Sequence, residues 1–283
     1  MLRSVLNLGK AGISFSVALT AATGYLLSIR VYNPDVLFVF IGVLLLAMAA
    51  SALNQVQERE ADNKMLRTQK RPLLNGNASF RLAILMITVF SLSGFLILYV
   101  YFSLLPALLG LGNLLWYNFV YTPLKYKTAF AAFPGGIVGA VPPVIGWTAG
   151  GGHIMHVSAL TLALFFFIGQ IPHFWILILK YSSEYKKAGI KTIAEKFSVK
   201  QIKRLVFSWV VATAASGSLL SYYLIINHNP AFYFLQALSA SLIIYFIYWL
   251  GLKNNHHSYK AFLSINIYYL VVMIVLIADL MVV

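Results

Sequence analysis

Seven acidic residues are spread over 283 positions, and five of them, Glu58, Glu60, Asp62, Glu184 and Glu195, fall in two short polar segments. In the first segment Asn54, Glu58 and Asp62 recur at intervals of four. Each such step advances roughly 400° around a helix, so the three oxygen-bearing side chains form one stripe. A stripe of this kind suits Mg²⁺, a hard ion that keeps some water and shares the rest of its shell with substrate phosphates. Lys64, Arg67 and Arg71 follow directly, and guanidinium groups grip phosphate oxygens two at a time. Carboxylates followed by cations describe a metal-bridged diphosphate site. They describe an ordinary solvated loop equally well, and spacing alone leaves both readings open.

The second segment runs from His173 to Ile190 and holds Trp175, Glu184, Tyr185 and Lys187. His173 and Glu184 are eleven apart, which returns to nearly the same helix face. On an unbroken helix the imidazole lies about 16 Å deeper than the carboxylate. The competing reading is a core histidine hydrogen-bonded to a neighbouring helix. A third element, Tyr121-Thr-Pro-Leu-Lys125, places another cation where it can counter phosphate charge. It precedes Gly135, Gly139, Pro142, Pro143 and Gly146, which read as devices for close helix packing. His153, His156, His228, His256 and His257 lie in connecting segments and are set aside as site residues.

The elements that carry these residues are membrane helices. The chain is 60% hydrophobic and 10% charged, against about 25% charged residues in a soluble domain. About 20 apolar residues cross a hydrocarbon core, and nine such runs are expected, near 12–30, 35–56, 82–102, 104–122, 131–150, 157–179, 203–226, 231–252 and 260–282. Backbone groups in lipid must be satisfied within their own segment, so the runs are helices. The fold class is therefore all-α, a polytopic bundle forming one domain over residues 1–283. No cleavable signal is expected, and the absence of cysteine excludes disulfides and thiolate metal sites.

Every Lys and Arg except Arg30 falls at residues 1–11, 57–81, 123–130, 180–204 or 253–260. The positive-inside rule then puts the N-terminus in the cytoplasm and the C-terminus outside. The formal net charge of +14 reads as orientation signals against an anionic leaflet rather than as a nucleic-acid surface. A transporter usually binds its cargo near the midplane between internal repeats. Here the acids gather at one rim, and no repeat is evident.

Together the three elements resemble the protoheme IX farnesyltransferase (heme O synthase) family, within the UbiA-type intramembrane prenyltransferases. The resemblance is carried by Asn54-Gln-x-x-Glu58…Asp62…Met65-x-Arg67-Thr-x-x-Arg71-Pro-Leu73. Tyr121–Lys125 with Gly139-Ala-x-Pro142-Pro143-x-x-Gly146-Trp147 adds to it, as does Pro172-His-Phe-Trp175 with Tyr185-x-x-Ala188-Gly-Ile190. It departs from the family at Tyr126, where Arg is usual, at Ala131 for Asn, and at Glu184 for Asp. The resemblance implies farnesyl diphosphate, Mg²⁺ and heme B, in a bacterial cytoplasmic or organelle inner membrane, with a downstream heme A synthase as a partner. It implies Asn54, Glu58, Asp62 and Glu184 as catalytic metal ligands and His173 as a residue that orients heme or water. Lys64, Arg67, Arg71, Lys125, Tyr121, Tyr185, Lys187 and Trp175 become substrate contacts. Trp116, Tyr117 and Phe174 join Tyr121 and Trp175 as candidate aromatic walls. A quinone precursor or another aromatic ring is the alternative acceptor.

Overall fold

The computed structural model describes residues 2–224, 229–252 and 258–281. His228, His256, His257 and Lys253 lie outside these residues. Among the described residues, nine helical segments are long and apolar enough to cross a membrane. In chain order the helices are α1 (Leu2–Leu8), α2 (Ala11–Ile29), α3 (Val36–Gln57), α4 (Arg59–Asn63), α5 (Phe80–Tyr101), α6 (Leu104–Leu115), α7 (Thr122–Lys127), α8 (Ala132–Ala149), α9 (Val157–Lys187), α10 (Val199–Leu224), α11 (Asn229–Gly251) and α12 (Ser258–Met281). A π-helical turn, Trp116–Tyr121, joins α6 to α7, so Leu104–Lys127 counts as one span.

The spans follow the apolar runs, but two continue past their expected ends, Leu104–Lys127 beyond 122 and α9 beyond 179. Helix α9 continues from its expected end near 179 to Lys187. Lys, Glu and Tyr are tolerated in a helix that has left the hydrocarbon, so loss of hydropathy does not end it. Its backbone leaves helical geometry at Tyr181 (φ −121°, ψ 18°), and the last turns are redirected there. The helix stops at Gly189, whose φ of +75° suits a residue without a side chain. The Ile190 amide then bonds back to the Tyr185 carbonyl at 2.9 Å.

Close packing rests on glycine facing backbone. A Cβ on Gly146 of α8 would collide with the Ala21 carbonyl oxygen of α2, and one on Gly24 of α2 with the Pro143 carbonyl. Pro142 has no amide proton, so the Val138 carbonyl lacks its helical partner. The Asn113 side-chain amide donates to that carbonyl at 3.1 Å. One apolar core runs through α2, α3, α8, α9, α10, α11 and α12, with Ala21, Val39, Phe165, Ile176, Val206, Phe246 and Ile265 fully buried.

Candidate functional site

The polar residues gather at the rim of the bundle that carries α1, α4, α7 and the end of α9. Helix α3 ends at Gln57 and Glu58 turns the chain (φ −97°, ψ 13°) into the short α4. The expected stripe is therefore two helical pieces rather than one. The turn keeps the stripe together: the Asn54 amide donates to Glu58 Oε2 at 2.9 Å, and Asp62 follows in α4. Asn54 and Asp62 are each 1% exposed and Glu58 is 6% exposed. Carboxylates this deeply withdrawn from water need cations. Lys125 of α7 supplies one to Glu58 at 2.5 Å, and Arg71 pairs with Asp62 Oδ2.

A third cation comes from a place the sequence reading used only for topology. Lys10 sits between α1 and α2 with left-handed backbone (φ 45°), and its ammonium donates to Asn54 Oδ1 at 3.2 Å. Gly9 beside it packs on Met48 of α3, which holds the junction against the site. Burial, reinforced by Arg71 and Lys125, pulls the Lys10 amine down to about 7. Burial pushes Glu58 upward, but Lys125, Asn54 and Lys10 outweigh it and hold the carboxyl below its usual range. For Asp62 burial wins over Arg71, and the carboxyl lies above its usual range.

The π-helical turn places α7. Its wide turn lets the Thr122 amide reach the Tyr117 carbonyl, and the Thr122 hydroxyl donates to the same carbonyl at 2.9 Å. Pro123 could not have made a helical bond in any case. In this phase Thr122 Oγ1 accepts from Asn54 at 3.2 Å, Lys125 meets Glu58, and the Tyr126 hydroxyl donates to Glu58 Oε1 at 3.2 Å. The Lys191 amide donates to the Lys125 carbonyl at 2.9 Å, which pins α7 to the segment after α9.

Glu184 and Tyr185 approach from α9. Glu184 Oε2 accepts from the Arg67 amide at 3.2 Å, and the Arg67 guanidinium donates to the Tyr185 hydroxyl at 3.3 Å. The same guanidinium lies over the rings of Tyr181 and Tyr185. Met65 and Ala61 pack with Ala188 and Ile190, joining the two polar segments. Glu184 thus reaches the Arg67 turn, and among the described residues no three acidic or histidine side chains cluster around one point.

Beside Lys125 a cavity of about 80 Å³ is lined by Tyr121, Phe174, Leu177, Ile178, Ala131 and Tyr185, among others. Tyr121 and Phe174 face each other at 5.8 Å. Several expected residues sit elsewhere. Trp175 is buried between Phe133 and Trp209 at the junction of α8, α9 and α10, away from the cavity. His173 turns to α12, its ring 4.3 Å from that of Phe262. Trp116 donates to the Pro134 carbonyl at 2.9 Å. Lys64 and Lys187 are exposed.

Asp62 Oδ1 is buried and has no hydrogen-bond partner among the described residues. With Glu58 and Asn54 it makes an all-oxygen donor set, the kind a hard divalent cation prefers. The residues fit Mg²⁺.

A family model described as the UbiA prenyltransferase family matches residues 14–271. The chain belongs to the UbiA prenyltransferase family. Among relatives of this UbiA-family chain, the protoheme IX farnesyltransferase of Geobacter sulfurreducens is 36% identical over 220 residues, covering 78% of this chain and 81% of that protein. The Aquifex aeolicus protoheme IX farnesyltransferase is 34% identical over 248 residues, covering 86% and 83%. Among solved structures, a digeranylgeranylglyceryl phosphate synthase superposes with a TM-score of 0.78 at 18% identity, over 100% of this chain and 99% of that one. A UbiA homolog from Archaeoglobus fulgidus bound to DMAPP and Mg²⁺ superposes with a TM-score of 0.69 at 17% identity, over 99% and 100%. These structures share the UbiA fold, and the chain is an integral membrane protein.

Proposed function

We propose that this prenyltransferase moves a farnesyl group from farnesyl diphosphate to a vinyl group of heme B, with addition of water, giving heme O. The observation that carries the diphosphate half is the buried Glu58–Asp62 pair ringed by Lys10, Arg71 and Lys125. That balance suits an anion brought in with a divalent cation. The relatives' names carry the acceptor half. The basic rim faces the cytoplasm on charge grounds, in a bacterial cytoplasmic or organelle inner membrane. Heme A synthase is the expected consumer of the product.

Asn54, Glu58 and Asp62 would hold Mg²⁺, with Glu184 on the facing segment, and the bound ion supplies Lewis-acid relief of charge on the phosphate oxygens. Arg71 and Lys125 add positive charge where the leaving group gains negative charge, and the Lys10 amine adds a hydrogen-bond donor beside them. The allylic C1–O bond breaks, and its electron pair leaves with diphosphate. The Tyr121 and Phe174 faces border the allylic cation and exclude water from it. The vinyl π-electrons form the new C–C bond. Water adds to the carbon left positive, and its proton is released.

Purified protein given farnesyl diphosphate, heme B and Mg²⁺ should yield farnesyl-modified heme by mass spectrometry, and chelation should stop it. Hydroxybenzoate and naphthoate serve as competing acceptors, and prenylation of these but not of heme would refute the acceptor. Lys10→Gln should lower kcat/KM for farnesyl diphosphate about 100-fold, the lower end of the cost of one donor to developing charge. A value equal to wild type would remove Lys10 from the site. Tyr126→Phe should cost about fivefold in kcat, the kinetic equivalent of one hydrogen bond of about 1 kcal/mol.

A further inference from the structure

The proposed reaction passes through two cations that need opposite treatment. The allylic cation must be kept from water, whereas the cation left on the acceptor must be captured by it. Free water in the cavity would quench the first, so the second needs a single molecule held in place. Inside an apolar span a water stays only where polar partners are built for it.

A glutamine of α9 stands where such a partner is needed. Phe174, Leu177 and Ile178 of α9 line the cavity. Gln170 lies four residues before Phe174, on the same helix face and about 6 Å further from the rim. Opposite this face α8 presents two glycines at the same spacing of four. A Cβ on Gly135 would meet the rings of Tyr121 at 2.7 Å and Phe174 at 3.0 Å. One on Gly139 would meet Cγ of Gln170 at 2.7 Å, Cδ at 2.9 Å and Nε2 at 3.0 Å. The glutamine side chain therefore lies in the groove that continues inward from the aromatic wall. Lys125 stands 5.1 Å from the Tyr121 ring centre, and Tyr121 stands 5.8 Å from Phe174. Cation, aromatic wall and amide follow one another from the rim inward.

A glutamine within a span ordinarily hydrogen-bonds across to a neighbouring helix. Gln170 is half-buried, and its side-chain amide makes no hydrogen bond among the described residues. The other polar side chain of this stretch, His173, turns to Phe262 on α12 and so leaves the cavity face to Gln170.

Resting on the heme acceptor and water addition of the proposed function, we propose that Gln170 is a positioning residue for the water that adds to the acceptor. Its carbonyl oxygen accepts one water O–H, which turns an oxygen lone pair toward the electron-poor carbon. That lone pair forms the C–O bond, and the departed diphosphate takes the proton the water gives up. Where no water is held, the neighbouring CH₂ loses a proton to diphosphate instead. The C–H electron pair then closes a C=C bond, and the product is lighter by one water.

The test incubates the purified full chain with farnesyl diphosphate, heme B and Mg²⁺ in water enriched in heavy oxygen. Mass spectrometry reads the ratio of hydroxylated to olefinic product, which does not depend on rate or on the amount of folded protein. Wild type should give labelled hydroxylated product. Gln170→Met keeps the length of the side chain without its carbonyl, and the ratio should fall about tenfold, the scale of one hydrogen bond at a charged centre. Gln170→Glu keeps an acceptor oxygen and should hold the wild-type ratio. Gly139→Ala pushes the amide aside and should shift the ratio in the same direction as Gln170→Met. A wild-type ratio in Gln170→Met, or in Gly139→Ala should the first variant yield no product, would overturn the inference while leaving heme farnesylation standing. Wild-type protein that farnesylates no heme would overturn both.

Discussion

Asp62→Ala is expected to lower heme O formation by about 100- to 1,000-fold, the scale of losing one preorganised electrostatic group at developing charge. The carboxylate has two separable jobs. Oδ2 pairs with Arg71, and Oδ1 is buried without a hydrogen-bond partner among the described residues. Alanine removes both, but Arg71 keeps 18% of its side chain exposed and can turn to water, so the protein should still accumulate in membranes. Asp62→Asn keeps the shape and removes the charge, and should fall nearly as far. Heme extracts analysed by mass spectrometry, normalised to protein by immunoblot, read both variants. Wild-type heme O from either would remove Asp62, and the metal reading with it.

Gly146→Ala should damage the fold itself. The added methyl meets the Ala21 carbonyl oxygen, and the Ala21 carbonyl carbon and Tyr25 nitrogen at 2.7 Å. These are backbone atoms of α2, so no rotamer change relieves the clash, and α2 and α8 must separate. Overpacking of a core typically costs 1–3 kcal/mol, and here about 3 kcal/mol is expected. Separation would also loosen Gly24 against Pro143 and shift Lys10, at the start of α2, relative to Asn54. Gly112→Ala is the control, since nothing lies within 4 Å of its added Cβ. Thermal unfolding in detergent should fall sharply for the first and hold for the second. Equal melting temperatures would show that the helix contact yields.

The Asn54–Glu58–Asp62 stripe was readable because its period of four survives the break at Glu58. The nine spans were readable because lipid allows few alternatives to an apolar helix. Lys10 was not readable: its partner Asn54 is 44 residues away, and only a left-handed junction brings the two together. Tyr126 stood out as a departure from the family, yet nothing in the chain announced its bond to Glu58. Trp175 shares a motif with His173 and Phe174, but successive helix residues point about 100° apart, so the three face α10, α12 and the cavity in turn. Glu184 carried the expected charge, while the break at Tyr181 directs it to the Arg67 turn.

The wide turn at Trp116–Tyr121 makes the site sensitive to chain length as well as to chemistry. Loss of a single residue there would let the backbone close into regular α-turns and rotate everything downstream by about 100°. Thr122, Lys125 and Tyr126 would keep their identities and lose Asn54 and Glu58 together. Tolerance at this turn should therefore divide by the kind of lesion. Many exchanges of side chain can be absorbed, whereas an in-frame deletion of one codon disconnects the polar rim without altering a single charged residue.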